Sequence, residues 1–347
     1  MDHSDTPSHD TLLTVRGLTL GFGSAPPAAE GPDGFTEVLR GVDLTLRRGE
    51  LFALVGESGC GKSLTALSIL GLLPPEARVT RGEVHLAGVG DLLTLPEAER
   101  RPLRGRRIGM IFQEPASALN PVLTIGFQII ESLRQRRSLG RRQARAEAQR
   151  LLERVAMPEP RERLDAYPHQ LSGGQQQRAM IAMALACEPD LLLADEPTTA
   201  LDVTVQAQVL DILLGLQHDL GLTVLLITHD LGVVAQVSDR VGVMYAGQVV
   251  EQAPVETLFA RPQHPYTRAL LASVPRLGSR DLPEGIPGQV PEPGQLPSGC
   301  AFHPRCAEAL ERCSRGAPPW VPVADDHRSR CVLSESSSLG EPGEGDP

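Results

Sequence analysis

The run Gly56-Glu57-Ser58-Gly59-Cys60-Gly61-Lys62-Ser63 limits what this chain can become more than any other feature in it. It fits the spacing G-x-x-x-x-G-K-[ST], follows the apolar residues 51–55 and precedes a segment with helical patterning. Glycines let the backbone curl until its N–H groups face phosphate oxygens, and the helix start adds positive potential. A turn of this kind needs a buried strand before it and a helix behind it. Lys62 adds weight. Of 33 basic residues it alone is lysine. A chain that otherwise uses arginine throughout keeps here a compact ammonium in place of a planar fork.

The rest of the pattern agrees with that unit. Strand-like stretches fall at residues 12–20, 38–46, 51–55, 82–87 and 107–112, then at 190–194, 223–228, 239–245 and 248–252. Helical segments lie at 62–73, 174–187, 203–219, 254–260 and 264–273. Apolar strands alternating with helices predict a parallel sheet covered on both faces. From about 122 to 170 the chain is helix-like and arginine-rich, the pattern of an all-helical insertion. Residues 134–150 hold seven arginines and one acid and read as a solvated helix face. Residues 24–34 read as an exposed loop, 283–299 as a Pro- and Gly-rich linker, and 1–11 and 334–347 as disordered ends.

A net charge of −10 argues against a nucleic-acid partner, since displacing counterions from phosphates needs a basic excess. No apolar run approaches the ~18 residues of a membrane-spanning helix. Residues 1–10 lack the charged-then-apolar pattern of a signal segment, so the chain is expected to stay in the cytoplasm.

Chemistry gathers at two places. The loop residues Gly56, Glu57, Ser58, Gly59, Cys60, Gly61, Lys62, Ser63 and Leu64 suit ATP, with Lys62 reaching the β- and γ-phosphates and Ser63 holding Mg²⁺. Leu191-Leu192-Leu193-Ala194-Asp195-Glu196 is an apolar strand ending in two carboxylates. Asp195 suits the Mg²⁺ site, and Glu196 would then polarise an attacking water.

Leu171-Ser172-Gly173-Gly174-Gln175 resembles the signature motif of the ABC ATPases. It is a second glycine turn feeding a helix start, with Ser172 placed to cap the helix. The resemblance implies a P-loop NTPase of the ABC type over residues 12–260: a RecA-like parallel-sheet core, an antiparallel β subdomain and a helical subdomain at about 115–170. It implies that Ser172, Gly173, Gly174 and Gln175 face the γ-phosphate bound by an opposite subunit. It makes Gln113 a contact of Mg²⁺ and of the catalytic water, His229 the switch histidine, and Asp202 in Ala200-Leu201-Asp202 part of the loop that crosses the dimer interface. Phe22, at the end of the first strand, is the choice for stacking on adenine; a core role is its alternative.

Further stretches resemble the oligopeptide/dipeptide/nickel importer branch of that family. They are Met110-Ile111-Phe112-Gln113-Glu114-Pro115, Leu119-Asn120-Pro121, Tyr167-Pro168-His169-Gln170, Pro197-Thr198-Thr199-Ala200-Leu201-Asp202-Val203-Thr204-Val205-Gln206-Ala207-Gln208 and His264-Pro265-Tyr266-Thr267, with a C-terminal extension at 261–333. That extension holds Cys300, Cys306, Cys313 and Cys331, with 5, 6 and 17 residues between them. A cytoplasmic site disfavours disulfides. Spacing leaves zinc and an iron–sulfur cluster both open; the resemblance implies [4Fe-4S], with zinc as the fallback. It also implies two separate permease subunits, a second ABC ATPase subunit (a paralogue before a second copy), an extracytoplasmic solute-binding protein, and a place on the cytoplasmic face of the membrane. Peptide import is the leading expectation. A nickel or other small-solute importer, a soluble ABC ATPase and an exporter are the alternatives.

Overall fold

The computed structural model describes residues 10–23, 34–136, 139–199, 201–274 and 285–337. The strands are β1 (Thr11–Gly23), β2 (Phe35–Arg47), β3 (Leu51–Val55), β4 (Ala77–Leu86), β5 (Gly90–Asp91) and β6 (Ile108–Ile111). They continue with β7 (Leu191–Asp195), β8 (Thr223–Ile227), β9 (Arg240–Tyr245), β10 (Gln248–Pro254), β11 (Val321–Ala324) and β12 (His327–Ser329). One sheet has the order β2-β1-β4-β5 and is antiparallel; the larger has the order β11-β12-β10-β9-β3-β8-β7-β6. From β9 to β6 its neighbours are all parallel.

The period of two along a strand sorts the core. Leu192 and Ala194 of β7 join one cluster with Val224 and Leu226 of β8, packed against Ile125, Ile129 and the helix Gly173–Leu185. Leu191, Leu193, Leu225 and Ile227 face the other way, toward the helix Lys62–Leu70 and the antiparallel sheet. Strands buried on both faces are why these segments read as unbroken apolar runs. The helical region holds Pro115–Ala118, Ile125–Arg136, Arg141–Arg154 and Pro160–Arg163.

Three expectations change. The helix after the phosphate loop stops at Leu70, short of the expected residue 73, because Gly71 adopts φ 63° and turns its amide back to the Ser68 carbonyl. The tail does not stand apart from the cassette. β12 pairs with β10 through Glu251–Ser329 and Gln252–Arg328, so the C-terminal residues extend the main sheet. Trp320 lies between Arg328 and Arg330 at 4.4 and 4.6 Å and donates to Asp43 at 3.0 Å. The expected disordered ends are narrower as well: Thr11 opens β1, and Ser334–Ser337 is a short helix. Residues 1–9, 24–33 and 338–347, and Ala200, lie outside the described residues.

Candidate functional site

The phosphate loop leaves β3 and enters the helix Lys62–Leu70, as its spacing requires. Gly56 takes φ 154°, and a Cβ there would meet the Met244 carbonyl oxygen at 2.1 Å, so only glycine lets the loop pass β9. Lys62 is buried and folds back over the loop, donating from Nζ to the carbonyls of Gly56 (2.8 Å) and Glu57 (3.1 Å). Cys60 is buried, and burial pushes its thiol pKa up, so it serves as packing. Ser58 and Gly59 are exposed, and Leu64 packs on the core.

Opposite the loop, β7 delivers Asp195. Its Oδ1 accepts from Ser63 Oγ at 3.0 Å, joining residues 132 positions apart. Burial raises the Asp195 pKa; the Ser63 bond opposes that, and the neighbouring Glu196 adds to it. A hydroxyl and a carboxylate at this distance form a hard oxygen pair that suits Mg²⁺.

Glu196 has φ 46°, in the left-handed region that side chains other than glycine rarely adopt. The turn swings its carboxylate off the strand line into a set of polar groups. Thr199 Oγ1 donates to it at 2.8 Å, Gln113 Nε2 donates at 3.3 Å, and His229 Nδ1 stands 3.4 Å away. Gln113 follows β6 and His229 follows β8, so three parallel strands deliver the three expected catalytic residues to one point. In sequence, Thr199 stands out only as part of the 197–208 stretch that carries the importer resemblance, with no site role given to it.

Ser172 caps the helix Gly173–Leu185: its Oγ accepts from the Gln175 amide (3.4 Å), and Gln175 Oε1 accepts from the Ser172 amide (3.1 Å). A Cβ on Gly174 would meet Val205 at 2.7 Å. Ser172 and Gly173 are exposed, and the Ser172 cap bonds stay within their own turn. Asp202 caps the helix Val203–Leu220, accepting from Val205 N–H at 3.0 Å. Phe22 is half-buried at the end of β1 and packs against the core.

A model described as "ABC transporter" matches residues 39–199, and one described as "Oligopeptide/dipeptide transporter, C-terminal region" matches 250–313. Dipeptide transport ATP-binding protein DppD of Bacillus subtilis is 50% identical over 330 residues, covering 94% of this chain and 96% of that protein. The chain belongs to the ATP-binding subunits of the ABC transporter family. Other ABC relatives include a putative peptide import ATP-binding protein of Brucella melitensis, 51% identical over 303 residues (84% of this chain, 90% of the relative). DppD of Escherichia coli is 45% identical over 323 residues (92% and 96%). Among solved ABC structures, a dimeric ATP-binding cassette in a post-hydrolysis state with ADP and Pi superposes with TM-score 0.61 at 29% identity, covering 70% of this chain and 99% of that one. The chain is thus an ATPase of the ABC cassette fold, with a mixed sheet and an antiparallel subdomain.

The tail cysteines depart from expectation. Cys300, Cys306, Cys313 and Cys331 all line one cavity of about 20 Å³, and all four thiols are free. That space suits about one water. Among the described residues no group of three His, Cys, Asp or Glu side chains is placed to hold a metal ion. Burial raises the Cys300 and Cys306 pKa values and lifts Cys331 to about 11. The expected metal centre is therefore not preformed. Phe302 and Ala301 are buried with Tyr245 and Tyr266 of the cassette core.

Proposed function

We propose that this subunit powers import of peptides, binding ATP between two cassettes and passing the resulting movement to separate permease subunits on the cytoplasmic face of the membrane. The observation that carries the catalytic half is the convergence of Gln113, His229 and Thr199 on the Glu196 carboxylate, across from Ser63 and Asp195. Glu196 orients and polarises the attacking water; Lys62 leaves its loop carbonyls to meet the phosphates; His229 and Gln113 report on the γ-phosphate position. Mg²⁺, when bound at Ser63, Asp195 and Gln113, supplies charge that offsets the phosphate oxygens. Phe22 is proposed as the adenine contact.

The exposed signature turn supports a site completed by a second chain. Val203, 84% exposed and apolar, lies beside Asp202 at the same surface. An open apolar groove of about 290 Å³, lined by Leu72, Met110, Phe112, Leu119, Ser132 and Met183, supports the permease contact. It lies between β6 and the helical region, and Phe112 is joined in sequence to Gln113, so movement in the groove reaches the carboxylate cluster. Peptide as the solute rests on the names of the relatives.

The domain limits proposed are a cassette at 12–260 and an extension at 261–333. For the extension, four thiols facing one cavity support a [4Fe-4S] cluster held by thiolates, with zinc as the alternative. Loading would have to draw the four side chains together, since among the described residues no three such groups are placed to hold a metal. Protein purified without oxygen should contain iron and acid-labile sulfide and lose both in Cys306→Ser; colourless protein would end that reading. The test of function is uptake of labelled dipeptide, and separately of nickel, by cells carrying Glu196→Gln at the native locus. Peptide uptake should fall to background while nickel uptake holds; the reverse result would name a different solute.

A further inference from the structure

Glu57, the residue after Gly56 in the phosphate loop, is gripped by two side chains from the far end of the chain. Its backbone N–H donates to the Tyr266 hydroxyl at 3.0 Å. Its carboxylate receives a two-pronged contact from Arg305, Nη1 to Oε2 at 2.8 Å and Nη2 to Oε1 at 3.1 Å, across 248 positions of sequence. The Arg305 side chain is only 6% exposed. Its other donor contacts go to the carbonyls of Pro287 (2.8 Å) and Ile286 (3.3 Å) and to the Tyr245 hydroxyl (3.3 Å), which fixes the plane of the guanidinium.

Below the fork, Tyr245, Tyr266 and Phe302 form a buried aromatic cluster, with ring centroids 4.6, 5.3 and 5.4 Å apart. Neither the hydroxyl nor the fork can swing away without opening that cluster. With Lys62 on its carbonyl, Glu57 is held at its amide, its carbonyl and its side chain. The fork also has an electrostatic effect. A carboxylate within an anion cradle repels polyphosphate, and a bidentate guanidinium cancels that charge where solvent screening is weak.

We propose that Arg305 and Tyr266 are positioning residues for ATP: they hold the phosphate loop open for the nucleotide and neutralise Glu57, so that the tail of the chain sets its ATP affinity. The proposal rests on the assignment of residues 56–63 to the phosphates of ATP. The short turn His303–Arg305 that carries the fork lies between Cys300 and Cys306.

The test is a double-mutant cycle on the assembled transporter, reading KM for MgATP, kcat and thermal melting. Arg305→Ala should raise KM about tenfold or more with kcat changed less than about twofold, the scale of losing a charge-assisted contact. Tyr266→Phe should raise it about threefold, and Arg305→Lys should restore only part of the loss. In a Glu57→Gln background, Arg305→Ala should add no more than about a twofold change. An unchanged KM in Arg305→Ala, or an equal effect in both backgrounds with a matching drop in melting temperature, would overturn the positioning role and leave Arg305 as a structural contact. Lys62→Ala separates the two layers. If it retains ATP affinity, the assignment of the loop itself fails; if it loses affinity while Arg305→Ala does not, only the positioning role fails.

Discussion

In the proposed nucleotide cradle Gln113, Asp195, Glu196, Thr199 and His229 sit at the end of a parallel strand or on the loop that follows it. In the C-terminal tail the working contacts come from side chains that meet over long stretches of chain, such as Arg305 on Glu57 and Trp320 on Asp43. The cradle is backbone geometry with a few polar groups set on it. The tail is packing, an aromatic cluster and buried ion pairs with little regular structure of its own. If the proposed roles hold, chemistry belongs to the first region and its tuning to the second, and the two should respond differently to mutation.

The largest separation is expected at Glu196. Glu196→Gln should lower ATP turnover by about 10²–10⁴-fold in the assembled transporter, the range for losing a positioned base, while MgATP binding persists. Single-turnover hydrolysis alongside equilibrium binding checks both halves. Lys62→Ala acts on binding instead: removing a charged donor to phosphate should weaken MgATP affinity about 10–100-fold, measured by fluorescent-nucleotide titration. A third, smaller effect concerns the exposed signature turn. If Ser172 and Gly173 complete a second chain's site, the specific activity of the isolated subunit should rise several-fold as protein concentration is raised tenfold. A flat specific activity from a strictly monomeric sample would break that reading.

The smallest effect is expected in the tail and depends on pH. His264 is 1% exposed; its Nδ1 accepts from the Tyr266 amide at 3.0 Å, and its own amide donates to Glu251 at 2.8 Å. Burial holds its pKa down to about 4, against partial opposition from Glu251; Arg268 adds to the lowering. The unfolded chain takes up a proton near pH 6.5 that the folded protein refuses. Stability is therefore intact above pH 6.5 and lost progressively as pH falls toward 4, on the order of 3 kcal/mol at the lower end. Glu251 adds a loss of the same sign in acid: burial would raise its carboxyl, but His327, Thr267 and the amides of Gln263 and His264 together hold it below the usual range. His264→Asn keeps a capping oxygen and removes the titration, so its melting temperature should vary less between pH 7.5 and 5 than that of the parent chain.

The same contrast explains what could be read from sequence. Gly56, Gly61, Lys62 and Ser63 lie on one continuous turn, and Asp195 and Glu196 end an apolar run, so spacing alone carries their geometry. Gln113 and His229 could be placed only through the resemblance to the ABC ATPases; that each follows a strand of a parallel sheet is the physical reason they meet. Arg305 and Tyr266 could not be placed: no periodicity links either to Glu57, and the sheet extension through β12 rests on two short pairings. The four cysteines were legible as a group, and the structure does bring them to one cavity. Its size was not legible, because it depends on how Phe302 and Pro318 pack around it.

The central claim is that ATP hydrolysis at Glu196 drives peptide across a membrane through partner subunits. It is tested most directly in vesicles carrying this chain with the membrane proteins that co-purify with it, by measuring ATP hydrolysed and dipeptide accumulated in the same sample. The account predicts that dipeptide with its binding protein raises the hydrolysis rate, that accumulation requires ATP, and that Glu196→Gln abolishes both. Dipeptide accumulation that continues in vesicles carrying Glu196→Gln would contradict it.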